Sequence, residues 1–118
     1  MIDHMTMSVS NLVQSKAFYD QALAPLGMHC LYEGEGYVGY GVTRPEFWIA
    51  QEEHVSKVHV AFSAKSEKEV QVFFDAAMDA GGTDNGKPGP RPEYHERYFG
   101  AFVLDPDGNN IEAVFGNS

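Results

Sequence analysis

His4, His59 and Glu112 are three residues whose side chains could share one divalent metal. Each lies in a segment where apolar and other residues alternate, a pattern typical of a strand with one buried face. In each segment the residue falls on the face opposite the apolar one. Two neutral imidazoles and a carboxylate suit Fe(II), Mn(II), Zn(II) or Ni(II), with positions left open for a substrate. The residues alone leave the alternative that the histidines are ordinary strand residues and that Glu112 is solvated.

An internal repeat relates the two histidines to each other. Residues 4–27 and 59–82 align without a gap at a constant offset of 55, which pairs His4 with His59. The offset also pairs Ser8 with Ser63, Phe18 with Phe73, Asp20 with Asp75, Ala22 with Ala77, and Gly27 with Gly82. The sequence therefore predicts two copies of one supersecondary unit, with the two histidines in equivalent positions.

Each copy is predicted to begin with a strand followed by a helix. The first helix begins near Ser10 or Asn11 and ends before Gly27. The second begins at the capping box Ser66-x-x-Glu69 and ends at Gly81-Gly82. Further strands are expected at about 28–33, 36–42, 46–51, 98–104 and 111–115, with the turn DPDGN joining the last two.

These elements predict an α+β fold of two tandem β-α-β-β-β modules, about 1–54 and 57–116, in a single domain of 118 residues. The modules are expected to form a curved mixed sheet with the helices on its outer face. The stretch 83–97 is rich in Gly and Pro and is long for a connection, so it is predicted to be a functional loop.

The bulk composition excludes several classes of protein. The net charge is −9 with only 8 Lys and Arg, which argues against binding to nucleic acid. Cys30 is the only cysteine, so no intramolecular disulfide is possible. Neither a signal peptide nor an apolar stretch of about 18 residues is present, so a cytoplasmic location is expected.

Three segments carry a resemblance to a known family. They are IDHMTMSVSNLVQSKAFYDQALAPLG, KVHVAFSAKS with its helix, and FVLDPDGNNIEAVF, of which DPDGNNIE is the most specific. The chain resembles the vicinal oxygen chelate superfamily, which includes glyoxalases, bleomycin resistance proteins and extradiol dioxygenases. The resemblance implies a glyoxalase-like fold and one divalent metal held by His4, His59 and Glu112.

The sequence departs from part of that family. Glyoxalase I enzymes carry a fourth metal ligand on the last strand of the first repeat, where this chain reads EFWIAQ. Only Glu46 or Gln51, at the edges of that segment, has a side chain that could coordinate. Lactoylglutathione lyase activity is therefore not expected. Two histidines and one glutamate look more like the extradiol dioxygenases or the fosfomycin-modifying thiol transferases.

Aromatic and basic residues are expected to surround the metal. Trp48, Tyr37, Tyr32 and Tyr40 are predicted to line an amphipathic pocket on the strands of the first module. The loop 83–97 and its end carry the basic and hydrogen-bonding side chains expected to bind substrate, which are Arg91, Tyr94 and Tyr98. His95 belongs to the same cluster, and Arg97 is expected to be a solvated surface residue. Candidates for a separate catalytic base are Tyr98, His95 and Glu46.

Two classes of function follow. The first is a metal-dependent enzyme, a lyase or isomerase, a thiol transferase or a dioxygenase, whose small oxygenated substrate chelates the metal. The alternative is a metal-free protein of the same fold that sequesters an antibiotic or another small molecule. A C2 homodimer is expected, because each module leaves open sheet edges. The metal ligands then come either from one chain or, in a swapped dimer, from both, and the swapped form is favoured.

Overall fold

The computed structural model describes residues 1–117 and confirms the α+β fold of two modules. The first module contains β1 (Met5–Val9), α1 (Leu12–Leu23), β2 (His29–Gly34), β3 (Tyr37–Gly41) and β4 (Pro45–Gln51). The second contains β5 (His59–Ser63), α2 (Glu67–Asp79), β6 (Thr83–Pro90), β7 (Phe99–Leu104) and β8 (Asn110–Phe115). No helix within residues 1–117 is both long and apolar enough to cross a bilayer.

Each module forms its own four-stranded mixed sheet. The strand orders are β1-β4-β3-β2 and β5-β8-β7-β6, so the two sheets have the same topology. In both sheets the first strand pairs in parallel with the last, and the other pairs are antiparallel. Strands β1 and β5 are therefore edge strands, and the residues just before or at their starts, His4 and His59, lie at sheet edges.

The helix ends follow the predicted capping signals. The Asn11 side chain accepts a hydrogen bond from the Gln14 amide at 3.0 Å, and Ser66 accepts one from the Glu69 amide at 3.1 Å. These bonds satisfy amides that have no partner inside the first helical turn. Helix α1 continues into a 3₁₀ turn, Ala24–Leu26, which ends at Gly27 with a φ of 80°.

The prediction of a functional loop over 83–97 was wrong for its first half. Residues Thr83–Pro90 form strand β6, which pairs with β7 through a register that shifts on either side of Gly86. Strand β6 lies at the sheet edge, where Pro is tolerated because one row of amides needs no partner. The sequence of this strand, TDNGKPGP, lacks the alternation of apolar and polar residues that would have predicted it.

One hydrophobic core joins the two modules. Helices α1 and α2 contact each other, and each covers one face of its own sheet. Phe47 of β4 packs edge-to-face against Phe62 of β5, with ring centroids 5.1 Å apart. Within residues 1–117 no helix covers the opposite face of either sheet, and Trp48, His59 and Glu112 lie on these open faces.

The turn DPDGN fastens the second module to the first. Asp105 is buried, and it accepts hydrogen bonds from the Tyr19 hydroxyl at 2.5 Å and from the Asn109 amide nitrogen Nδ2 at 2.9 Å. Asp107 accepts hydrogen bonds from the amide and the hydroxyl of Ser10. The most family-specific segment of the sequence therefore has a structural role at the joint between the modules.

The bond from Tyr19 to Asp105 predicts a loss of stability at alkaline pH. Burial, and then the neighbouring Asp105 carboxylate, raise the pKa of the Tyr19 phenol well above its usual value. Because the folded pKa exceeds the unfolded one, the contribution is complete below about pH 10 and declines above it. We expect the urea midpoint to fall between about pH 9 and about pH 11, and to fall less in Tyr19→Phe. An equal fall in both proteins would contradict this role.

Candidate metal centre

His59 and Glu112 meet on the open face of the second sheet. The His59 Nε2 atom lies 2.8 Å from Glu112 Oε1. The Glu112 side chain is only 2% exposed, whereas that of His59 is 52% exposed. Glu112 belongs to β8 and is paired in register with Ala61, two residues beyond His59. A buried carboxylate is costly without a partner, and His59 supplies one at the edge of solvent.

Tyr98 holds the second oxygen of the same carboxylate. Its hydroxyl donates a hydrogen bond to Glu112 Oε2. Burial, and then the hydrogen bond to Glu112, raise the pKa of the Tyr98 phenol, so the hydroxyl keeps its proton and remains a donor. Both oxygens of Glu112 therefore have a partner in the chain.

His4 lies at the surface in a cluster with Asp3 and Arg44. The His4 Nδ1 atom is 2.7 Å from Asp3 Oδ1, and the Arg44 guanidinium donates to both Asp3 oxygens at 3.2 and 3.1 Å. The hydrogen bond from Arg44, and then that from His4, lower the pKa of Asp3 to about 2. A carboxylate on one ring nitrogen is the usual partner of a metal-binding histidine, because it orients the ring and leaves the other nitrogen free.

A single chain brings together two of the three predicted metal ligands. Within residues 1–117, no group of three or more His, Cys, Asp or Glu side chains is close enough to hold a metal ion. His59 and Glu112 fit a metal: ligand atoms bound about 2.1 Å from a metal in adjacent positions are about 3 Å apart, close to the 2.8 Å that separates Nε2 and Oε1. His4, the equivalent histidine of the first module, contacts Asp3 and does not join them in a group of three within residues 1–117.

The repeat also identifies what stands in the place of a fourth ligand. Glu112 pairs with Ala61, and the equivalent of Ala61 at the offset of 55 is Thr6, which pairs with Trp48. Trp48 therefore occupies in the first sheet the position that Glu112 occupies in the second. Glu46 and Gln51 were the two candidates for the fourth ligand. Gln51 accepts a hydrogen bond from the Leu12 amide at 2.9 Å and so caps α1. Glu46 lies two residues before Trp48 in β4, on the same face of the strand.

Trp48 belongs to an aromatic cluster on the open face of the first sheet. Tyr32 stacks on Tyr37 with centroids 5.8 Å apart, and Trp48 lies 5.8 Å from Tyr32 and 6.0 Å from Tyr37. Tyr40 does not join them, contrary to expectation. It is buried under α1, where its hydroxyl donates to Asp20 at 2.9 Å. Residues 37 and 40 are an odd number apart in one strand, so alternation puts them on opposite faces; the tyrosine side chain itself suits either face of a half-buried sheet.

Arg91 and His59 both pack against the ring of Phe102. The Arg91 guanidinium lies over the Phe102 ring at 5.4 Å, and Phe102 lies 6.1 Å from the His59 ring. Carbonyl oxygens of Lys87 and Gly89 accept hydrogen bonds from the guanidinium at 2.9 and 3.0 Å. A shallow depression opens here, lined by Asn85, Gly86, Arg91, Tyr94, Phe102 and Asn110.

The other residues of the loop differ in what they contact. Tyr94 is exposed and packs edge-to-face on Tyr98, with centroids 5.1 Å apart. His95 accepts a hydrogen bond from the Arg97 amide at 3.3 Å, within the loop itself. The Tyr98 hydroxyl contacts the candidate ligand Glu112 directly, whereas His95 and Arg97 contact each other.

Sequence reasoning did not identify Asp3, Arg44 or Phe102 as part of these sites. The dipeptide Asp3-His4 was a visible signal, since a carboxylate next to a histidine can orient its ring. Arg44 and Phe102 carried no local signal, because their positions depend on how strands pair.

The structure is therefore a two-module β-α-β-β-β protein, with an equivalent histidine at or just before the edge strand of each sheet. The chain belongs to the Glyoxalase/Bleomycin resistance protein/Dioxygenase superfamily, whose family model matches residues 1–113. The resemblance inferred from the sequence is thereby confirmed.

Relatives and solved structures agree with this assignment. The chain is 30% identical to the metallothiol transferase FosB of Shouchella clausii (strain KSM-K16), over 98% of this chain and 80% of that protein. It resembles the crystal structure of a glyoxalase/bleomycin resistance protein from Albidiferax ferrireducens T118, with a TM-score of 0.83, 27% identity and 97% of both chains covered. The fosfomycin resistance protein FosX of Mesorhizobium loti shares the fold, with a TM-score of 0.73 and 17% identity over 98% of this chain and 92% of that one.

Proposed function

We propose that this protein is a divalent-metal-dependent enzyme that acts on a small oxygenated molecule. The observation that carries the proposal is the contact between the exposed imidazole of His59 and the buried carboxylate of Glu112 on an open sheet face. A bound metal would supply Lewis-acid stabilisation to the oxygen atoms of a chelating substrate. The relative named as a metallothiol transferase supports addition of a thiol as one reaction to test, beside lyase, isomerase and dioxygenase reactions.

The protein residues have separate roles in this proposal. His59 and Glu112 hold the metal, and Asp3 keeps the His4 ring oriented with Nε2 free to join them. Arg91 attracts negative charge on the substrate, with Tyr94 beside it at the same depression. Trp48 stands where a further ligand would be, so more positions on the metal are open to the substrate. Trp48 and the neighbouring Tyr37 contact the remainder of the substrate.

The metal site is shared between two chains of a homodimer. His59 and Glu112 lie together in one chain, whereas His4 is exposed at the edge of the other sheet. A twofold axis that brings β1 of one chain beside β5 of its partner makes two equivalent sites, each with His4 from one chain and the other ligands from the partner.

Complementation between two inactive variants tests the shared site. We expect neither His4→Ala nor Glu112→Ala to bind metal tightly alone, because each homodimer lacks one ligand in both of its sites. The mixed dimer has one site with all three ligands intact, so we expect half of the wild-type metal content per dimer. The measurement is metal analysis of heterodimers purified through two different affinity tags.

The controls separate the failure of each part. Heterodimers that stay metal-free while the wild-type dimer binds metal would reject the shared site, but the proposal of a metal-binding protein would stand. A wild-type protein that binds none of Fe(II), Mn(II), Zn(II) or Ni(II) would reject the enzyme and favour the metal-free sequestering protein. A strict monomer in sedimentation at micromolar concentration would reject the dimer.

A further inference from the structure

Tyr98 is placed to control how Glu112 presents its carboxylate. The hydroxyl of Tyr98 donates to Oε2, while Oε1 lies 2.8 Å from His59 Nε2. The two oxygens thus have different partners on different sides. Because the Tyr98 hydroxyl occupies Oε2, Oε1 is the oxygen available to bind a metal beside His59.

The chain makes room for this contact with a glycine. Residues 98, 100 and 102 share the open face of the second sheet, and the middle one is Gly100. A Cβ atom at Gly100 would lie 3.1 Å from the Tyr98 ring and 3.3 Å from Glu112 Oε2, closer than most such contacts. The missing side chain lets the Tyr98 ring lie across β7 and reach the carboxylate on β8.

Tyr98 is also the residue at which the loop between β6 and β7 ends. The Arg91 amide donates to the Tyr98 carbonyl at 2.8 Å, and the Tyr98 amide donates to the His95 carbonyl at 3.1 Å. Two backbone bonds therefore fix Tyr98 where the loop enters β7. Tyr94 packs against its ring from the loop side.

We infer that Tyr98 is a positioning residue that fixes Glu112 as a ligand through Oε1 alone and thereby couples the 91–98 loop to the metal. This inference rests on the proposed metal site. Partners that hydrogen-bond to a metal ligand fix its orientation, and their removal commonly lowers metal affinity by about 10- to 100-fold. The substrate-binding depression at Arg91 and Tyr94 begins in the same loop, so the metal ligand and the substrate site share one support.

The test compares Tyr98→Phe with Tyr94→Phe. Both variants remove one hydroxyl from the same loop and keep the ring, but only Tyr98 donates to Glu112. For Tyr98→Phe we expect a drop in Zn(II) affinity of about 10- to 100-fold, measured by competition with a chromophoric chelator. We also expect the visible spectrum of bound Co(II) to change, because that spectrum reports coordination number and geometry. Tyr94→Phe should match the wild type in both measurements.

A second variant keeps the inference testable if Tyr98→Phe does not fold. Gly100→Ala retains the hydroxyl but places a methyl group between the ring and the carboxylate, so it should alter the Co(II) spectrum in the same direction. Wild-type Zn(II) affinity and an unchanged Co(II) spectrum in the folded variants would overturn the positioning role and leave the metal site standing. Absence of metal binding by the wild type would overturn both.

Discussion

Replacing His59 by Ala is expected to lower the affinity for Zn(II) and Mn(II) by at least about 100-fold, since loss of a ligand costs more than loss of its supporting partner. His59 Nε2 lies 2.8 Å from Glu112 Oε1, so its replacement removes one of the two adjacent ligands. Because half of the imidazole is exposed, the fold should survive the change. Isothermal titration of metal into the apo protein measures the affinity, and urea unfolding measures the fold.

Two variants sharpen the expected loss at His59. His95→Ala removes a histidine of the same module whose ring accepts a hydrogen bond from the Arg97 amide, and this variant should bind metal as the wild type does. Glu112→Gln keeps the shape of the side chain but removes its charge, and it should lose affinity as His59→Ala does. If His59 were only a hydrogen-bonding partner, its replacement would cost about 1 kcal/mol of stability and leave metal binding unchanged.

Replacing Asp105 by Ala is expected to lower the free energy of unfolding by about 3 to 5 kcal/mol. The Asp105 carboxylate is buried and accepts hydrogen bonds from the Tyr19 hydroxyl, the Asn109 side chain and the amides of Asp107 and Asn109. Without it, buried donors from both modules lose their acceptor. Urea unfolding followed by circular dichroism measures the change.

Asp107→Ala is the matched control for this prediction. Asp107 belongs to the same turn and also contacts the first module, but its partner Ser10 lies at the surface, where water can replace the lost bonds. We expect its replacement to cost about 1 kcal/mol or less. Equal losses in the two variants would contradict the assignment of Asp105 as the main tie between the modules.

Local sequence signals determined the fold of this protein. The offset of 55 between residues 4–27 and 59–82 shows two equal units, and the capping side chains of Asn11 and Ser66 mark where each helix begins. Alternation along β5 and β8 placed His59 and Glu112 on one face. These features depend on the backbone geometry of a few neighbouring residues, which the local sequence determines.

The tertiary structure decided which side chains meet. Alternation assigns Tyr98 and Glu112 to a face, but their contact requires the pairing of β7 with β8 and the space at Gly100. Alternation along β3 puts Tyr37 and Tyr40 on opposite faces, and the packing of α1 decides which of the two faces is buried. Strand β6 was missed for a related reason: its residues, rich in Gly and Pro, do not indicate a strand, and the strand forms by pairing with β7.

The repeat determined that His4 and His59 are equivalent, but it did not determine whether they lie together. In one chain the modules pack through α1 and α2 and through the rings of Phe47 and Phe62, and within residues 1–117 His4 and His59 do not belong to one group of metal ligands. His4 contacts its sequence neighbour Asp3, while His59 contacts Glu112. The relative orientation of the two modules depends on the burial of surfaces far apart in sequence. The spacing of residues within either module therefore does not predict this orientation.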